Sequence, residues 1–349
     1  GSGIYKSTDG GISWSVLTST QFTGPSSDFS YVASILVTGN GDVYAATKGY
    51  YCNSKGGLMK STDGGSNWSR VIGTDGTGGC GTGADLQGRN LAENNAGDLF
   101  FTSAYPSGHI YISNKATHGT NVGNSGNWAD ITPSGSWARI EMGVSKTSGS
   151  AVLFVACEGS GSNDVTGLFF SKDKGANWSS RAVPTICDQG SNSGAGPYTR
   201  GQAWYDLVVE IDPLYDSVAY FGGIDLLKTE DSAKSFSQIT TWSTYWPSTY
   251  GCNCCSGSAP PNIHADQHAL VFNPYTSNAA LSGNDGGLYY STNMNNSTPT
   301  WTDKNQGFNV TQYYAIATHP SDGDYILGGT QDNGSHKLTS YGTGTGTSV

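Results

Sequence analysis

Six segments of this chain repeat one pattern: an apolar strand, a Ser or Thr, an Asp-containing turn and an aromatic residue. A repeat of that kind limits the fold more than any other feature of the sequence. The clearest copies are Ile4-Tyr5-Lys6-Ser7-Thr8-Asp9-Gly10-Gly11-Ile12-Ser13-Trp14, Leu58-Met59-Lys60-Ser61-Thr62-Asp63-Gly64-Gly65-Ser66-Asn67-Trp68 and Leu168-Phe169-Phe170-Ser171-Lys172-Asp173-Lys174-Gly175-Ala176-Asn177-Trp178. A decayed copy begins at Ile110 and reaches Trp128 after an insertion. Another runs from Leu226 through Asp231 to Phe236, and a last from Leu288 through Asn293 to Trp301. The Ser/Thr positions 7, 61, 113, 171, 229 and 291 are spaced by 54, 52, 58, 58 and 62 residues. That is the length of four short antiparallel strands with their loops, stacked unit on unit.

Composition agrees. Glycine numbers 50 and tyrosine 20, and only 13% of the 349 residues are charged, the bias of many short strands joined by tight turns. A second repeat marks innermost strands at Tyr31 to Val37, Arg89 to Ala92, Arg139 to Val144, Trp204 to Val209, His268 to Val271 and Tyr313 to Ala317. The expectation is an all-β fold, a single β-propeller over residues 1–341, with six four-stranded blades. Residues 3–18 would complete the blade begun by residues 311–331, closing the ring with both termini. If Ser335 to Ser340 is itself a third strand, seven blades become the alternative. Residues 342–349, alternating Gly and Thr, read as a linker or tail.

The pattern Ser-x-Asp-x-Gly-x-x-Trp resembles the Asp box of bacterial neuraminidase repeats. Sialidases, sortilin-type receptors and tandem-propeller glycoside hydrolases acting on xyloglucan share that box. The resemblance covers nearly the whole chain and implies a hairpin between the third and fourth strands of each blade. The Asp accepts turn N–H groups there, and the Trp packs between blades. Asp9, Asp63, Asp173 and Asp231 are therefore structural, because a residue needed in every blade serves the blade.

Strand direction alternates, so the loops after second and fourth strands share one face and the Ser-x-Asp turns occupy the other. The working face then carries the seven cysteines, Cys52, Cys80, Cys157, Cys187, Cys252, Cys254 and Cys255. They are expected to form disulfides in an oxidising compartment: Cys52–Cys80, Cys157–Cys187, and one bond from Cys252 to Cys254 or Cys255. The long loop beside them, Thr240 to Ile263, carries Trp242, Tyr245, Trp246 and Tyr250. Such aromatics can stack on sugar rings or anchor a protein partner.

The most unusual stretch is His264-Ala265-Asp266-Gln267-His268, entering an inner strand. On a strand the two histidines stand roughly 13 Å apart, too far for one metal ion. Three of these residues, His264, Asp266 and His268, would share a strand face. Asn284-Asp285-Gly286 and Gln331-Asp332-Asn333 are turns on the same face. Together with Arg89, Arg139, Tyr205 and Asp206 they form an expected polar ring. These motifs resemble those of large secreted bacterial propeller proteins described as glycosyl hydrolases or sortilin-like, which implies an extracellular or cell-surface location.

Two functions follow from that ring. One is a module binding glycan or a surface protein, with Arg89, Arg139, Tyr205, Trp242, Trp246, His264 and His268 as contacts. The other is a glycoside hydrolase using two of Asp206, Asp266, Asp285 and Asp332, which needs a separation of roughly 5 Å or 6.5–9.5 Å. A sialidase is disfavoured, because no Arg-Ile-Pro motif is present. No resident cofactor or metal site is expected, though the Asp/Asn-rich turns leave calcium open. The net charge of −10 repels nucleic acid, and no apolar run approaches the roughly 18–20 residues that span a bilayer. With no initiator Met, the sequence reads as a processed form or a fragment.

Overall fold

The computed structural model describes residues 3–21, 27–48, 56–73, 86–186, 196–242, 259–273, 275–306, 312–322, 325–338 and 347–348. The chain is a β-propeller of four-stranded antiparallel units in sequence order. The first comprises Val32–Val37, Val43–Thr47, Gly57–Ser61 and Ser69–Ile72. The second comprises Gln87–Glu93, Leu99–Ala104, Ile110–Ser113 and Ala129–Asp130. The third comprises Trp137–Val144, Leu153–Gly159, Val165–Ser171 and Ser179–Arg181. The fourth comprises Val208–Ile211, Ala219–Gly222, Leu226–Thr229 and Ser237–Gln238. The fifth comprises Gln267–Phe272, Ala280–Asn284, Gly287–Ser291 and Thr302–Asp303.

The last unit corrects one expectation. Tyr313–Thr318 and Ile326–Thr330 continue into a third strand of their own, Ser335–Leu338, which pairs with Thr347–Ser348. Residues 3–18 therefore do not complete it. Their hairpin, Tyr5–Lys6 with Ser15–Val16, is a separate two-stranded sheet. The expected Gly/Thr tail contributes the fourth strand instead. Its neighbour offers a ladder of free N–H and C=O groups, and extended Gly/Thr backbone satisfies such an edge as well as any sequence does.

Apolar clusters fill the gaps between successive units. Tyr44, Leu58, Leu99 and Phe101 join the first to the second, and Phe100, Ile140, Val155 and Cys157 the second to the third. Phe154, Leu168, Val209 and Phe221 join the third to the fourth, and Tyr220, Ile263, Leu270 and Phe272 the fourth to the fifth. In the first four units the second strands are therefore buried almost throughout, whereas in the fifth Leu281 is 37% exposed; fourth strands are short. The sixth unit differs: on its inner strand Tyr314 is 71% exposed and Ile316 69%. Hydrogen bonds from the loop face tie it to its neighbour, Asn333 Nδ2 donating to the Asp285 carbonyl at 3.0 Å.

Each Ser-x-Asp turn closes by a reciprocal device. Ser61 Oγ donates to Asp63 Oδ1 at 2.8 Å and accepts from Gly65 N at 2.9 Å, while Asp63 accepts from Asn67 N at 2.8 Å. Ser171, Asp173, Gly175 and Asn177 repeat this geometry. So do Thr229, Asp231, Ala233 and Ser235. In the fifth unit Asn293 stands where the Asp would be and accepts from Ser291 Oγ and Thr300 N. Trp178 links units, its Nε1 donating to Ile131 O at 2.7 Å, whereas Trp68 and Trp14 donate to Gly65 O and Gly11 O within their own turns.

These donors hold the carboxylates ionised. Hydrogen bonds from Asn67 lower Asp63 to about 2, and those from Ser235 and Ser13 lower Asp231 and Asp9 to about 2. A folded-state value below the unfolded one gives stability that is present above about pH 4 and is lost as pH falls through about 2. The melting temperature should therefore drop steeply between about pH 4 and pH 2. An Asp63→Asn, Asp231→Asn double variant should show a shallower drop, because the amide keeps the acceptor, as Asn293 does, without the titration. Parallel curves for the two proteins would refute this.

Inner strands open with an irregularity in five of the six units, between Val32 and Ser34, Gly88 and Leu91, Trp137 and Arg139, Gln267 and Ala269, and Tyr313 and Ala315. Bulges re-aim side chains. Here they displace Arg89, Asn90 and His268 where the inner strands open.

Candidate functional site

The loop face brings together most of the polar residues singled out in the sequence. Tyr205 lies in a tight turn before the inner strand of the fourth unit, where both Tyr205 N and Asp206 N donate to Gln202 O. This turn replaces the extended segment expected from Trp204. It points the Tyr205 hydroxyl across to the fifth unit, where it donates to Asp285 at 2.9 and 3.0 Å to the two carboxylate oxygens. His268 Nε2 meets the same carboxylate at 2.7 Å, and its ring stands edge-on to Tyr205 at 4.7 Å. Trp204, 48% exposed, flanks Tyr205 with ring centroids 5.5 Å apart.

His264, Asp266 and His268 do not share a strand face. The strand starts at Gln267, and Asp266 has the left-handed φ of 63° that Asp tolerates better than most residues. The turn nevertheless keeps them in one cluster. Gln202 Nε2 donates to Asp266 Oδ1 at 3.4 Å, and His264 Nε2 lies 2.7 Å from the Asp332 carbonyl of the sixth unit. His264 fits only because residue 286 is Gly: a Cβ there would fall 2.3 Å from its own.

Asp206 is wholly buried, and no other residue among those described bonds its carboxylate oxygens. Burial, then the Asp266 charge, push it up to about 9 against the partial relief of Arg139. It is a neutral acid at pH 7. Burial followed by Asp285 also raises half-buried Asp266. Asp206 therefore supports the floor of the site, while Asp266, Asp285 and Asp332 reach its surface.

Arg139 differs from its expected role as a ligand contact. Its guanidinium is 6% exposed and turned into the protein, donating to the carbonyls of Ala203, Tyr205 and Leu207 at 2.9–3.3 Å and to Glu141 at 3.2 Å. It fixes the turn that aims Tyr205. Arg89, in the opening bulge of the second unit's inner strand, is half-buried.

Cys157 corrects a second expectation. It sits within a strand that runs on to Gly159, paired with Ile140 and Gly167 and fully buried between units, so its thiol is free and packs as a small apolar group. The loop position required for a bond to Cys187 is taken by residues beyond Gly159. Cys52, Cys80, Cys187, Cys252, Cys254 and Cys255 lie outside the described residues, as do Tyr245, Trp246 and Tyr250. Trp242 is described and 42% exposed, its carbonyl held by Asn262. Sequence reasoning passed over Trp204, Gln202, Lys48, Tyr105 and Glu158. The signal for Trp204 was its place just before an inner strand, the same place His264 holds one unit on.

Among the described residues, no group of three or more His, Cys, Asp or Glu side chains is arranged to hold a metal ion, and no helix is long and apolar enough to cross a membrane.

No protein-family model matches the chain, and no curated protein matches its sequence. Solved structures do. An ancestral GH74 enzyme superposes with a TM-score of 0.58 at 17% identity, over 99% of this chain and 46% of that one. GH74 from Niastella koreensis gives 0.37 at 14% identity, covering 99% and 66%, and YCF48 from Cyanidioschyzon merolae gives 0.45 at 12% identity, covering 91% and 84%. The chain thus spans about half the length of the ancestral GH74 enzyme. At 17% identity the likeness to the ancestral GH74 enzyme is one of architecture, and it agrees with the strand order above: this chain is a β-propeller.

Proposed function

We propose that this chain is an Asp-box propeller of the cell exterior that binds a glycan on its loop face, across the fourth, fifth and sixth units. One observation carries the reading. Tyr205, His268 and Asp285, from two adjoining units, lock into a rigid hydrogen-bonded group beside the exposed face of Trp204. Aromatic rings offer flat apolar platforms to the C–H faces of sugars, and carboxylates accept hydrogen bonds from sugar hydroxyls. A preformed group loses little freedom when the ligand docks. A protein partner fits the site less well, because its surface is carboxylate-rich and charged residues are depleted at the core of protein interfaces.

Glycoside hydrolysis is the second reading, favoured by the raised proton affinity of Asp266, which burial and then the Asp285 charge produce. Asp206 cannot donate to a glycosidic oxygen from its buried position, so Asp266 would be the acid and Asp285 the base.

Affinity electrophoresis and calorimetry against a panel of neutral polysaccharides test the proposal. Binding without release of reducing ends is expected, and Trp204→Ala should weaken it about tenfold or more, roughly 1.4 kcal/mol. Turnover abolished by Asp266→Asn or Asp285→Asn would replace binding with hydrolysis. Absence of both binding and turnover would sink the glycan reading.

A further inference from the structure

The opposite sector of the same face carries charge of the other sign. Arg89 is displaced by the bulge that opens the inner strand of the second unit, and Lys48 follows the second strand of the first. These strands touch: a Cβ on Gly88 would meet Ala46 and Thr47 at about 3 Å. Neither the Lys48 nor the Arg89 side chain has a hydrogen-bond or ion-pair partner among the described residues. Two acids lie nearby, each partly engaged, and Glu158 keeps one carboxylate oxygen without a hydrogen-bond partner among the described residues. Glu141 accepts from Asn90 at 2.6 Å and from Arg139, and buried Glu158 accepts from the Tyr105 hydroxyl at 2.8 Å. Ten excess negative charges on the chain make two half-buried, unpaired cations on adjacent strands a conspicuous exception.

We propose that Lys48 and Arg89 form an anion subsite for a carboxylate carried by the bound glycan, so that the face accepts a uronic-acid unit at the first two blades and neutral sugar at the fourth and fifth. The proposal rests on the glycan reading and deepens it. Arg139 is spoken for by Glu141 and by the carbonyls of the turn that aims Tyr205. Burial and the repulsion of Arg139 lower Arg89 to about 10, and burial with the repulsion of Arg89 lowers Lys48 to about 8. Neighbouring Glu141 offsets only part of this on both groups, and an arriving carboxylate would counter the mutual repulsion. Arg supplies a planar two-pronged donor, and Lys a point charge beside it.

The test compares an oligogalacturonate with its carboxyl-reduced, neutral counterpart by calorimetry on the full chain. The acidic form should bind about tenfold tighter, and the preference should shrink as salt is raised from about 50 to 500 mM. Lys48→Met and Arg89→Met should each remove most of that preference. Arg89→Lys should restore part of it, which a merely structural role would not predict. Equal affinity for the two forms, or a preference that survives both Met variants, overturns the subsite. If neither oligosaccharide binds, free glucuronate separates the two ideas. A melting temperature raised by glucuronate in the parent but not in Arg89→Met keeps the subsite and discards the glycan chain; no rise discards both.

Discussion

Replacing Asp206 by Asn raises the melting temperature at about pH 8 and leaves it nearly unchanged at about pH 4. Asp206 is fully buried, and no other described residue bonds its carboxylate oxygens. Burial, with the Asp266 charge behind it, pushes its folded-state value to about 9. The unfolded chain ionises near the ordinary 3.8, so between those values the folded state holds a proton that the unfolded state has released. Stability therefore falls as pH rises from about 4 to about 9, by up to about 1.4 kcal/mol per unit. Asn fills the same space and never titrates, so the variant escapes that loss. At about pH 8 the gain should reach a few kcal/mol, about 4 °C or more for a chain of this length. The gap should close on acidification, since neutral Asp and Asn cost the core about the same. A gap independent of pH, or a variant less stable at alkaline pH, would show that Asp206 is ionised in the folded state.

The same residue bears on function. If Asp206 is only a buried support, Asp206→Asn keeps glycan binding while changing stability. Asp285→Asn should do the reverse, because Asp285 meets Tyr205 and His268 at the surface of the cluster. The pair separates the floor of the site from its working groups.

The turns were legible because they ask for the same chemistry in every unit. A hydroxyl two residues before a carboxylate, then a backbone N–H two further on, closes the loop each time, and Asn293 shows the pattern surviving loss of the charge. The sixth unit was less legible. Ser335-His336-Lys337-Leu338 has neither period-two alternation nor a Ser-x-Asp turn after it, so its third strand stood in the sequence only as the alternative to closure by residues 3–18. Cys157 was misplaced because cysteine spacing says nothing of where a strand stops. Two residues further along the strand turn a loop thiol into a core one. The carboxylate cluster was visible as residue types but not as contacts, since it depends on the left-handed Asp266 and the bulge at His268, which break the strand periodicity used to find it. Lys48 carried no signal, because a lysine after a strand is ordinarily solvated.

Gly123→Ala should be among the most damaging single-methyl changes in the chain, and Gly126→Ala, three residues away, shows why. In the second unit the Ser-x-Asp turn is interrupted by an insertion containing the short helix Lys115–His118, yet the closing bond survives: Gly123 N donates to Ser113 Oγ at 2.8 Å. Gly123 thus does the work of Gly65 and Gly175 after ten residues instead of four. Both Gly123 and Gly126 are left-handed, at φ 75° and 81°, so an added Cβ costs each about 1–2 kcal/mol. Only at 123 is the space already taken. The new carbon would lie 2.0 Å from the Tyr44 hydroxyl and 2.7 Å from Leu99 Cδ1, whereas at 126 nothing lies within 4 Å. Tyr44 and Leu99 are core residues of the seam between the first two units, so they cannot withdraw without opening it. Overpacking adds about 1–3 kcal/mol, for a total of about 2–5 at Gly123 against about 1–2 at Gly126. Calorimetric unfolding of the two variants reads the difference directly. Equal losses would mean that the first two units are not wedged together by Tyr44, and that the interrupted turn closes by some other contact than the one from Ser113.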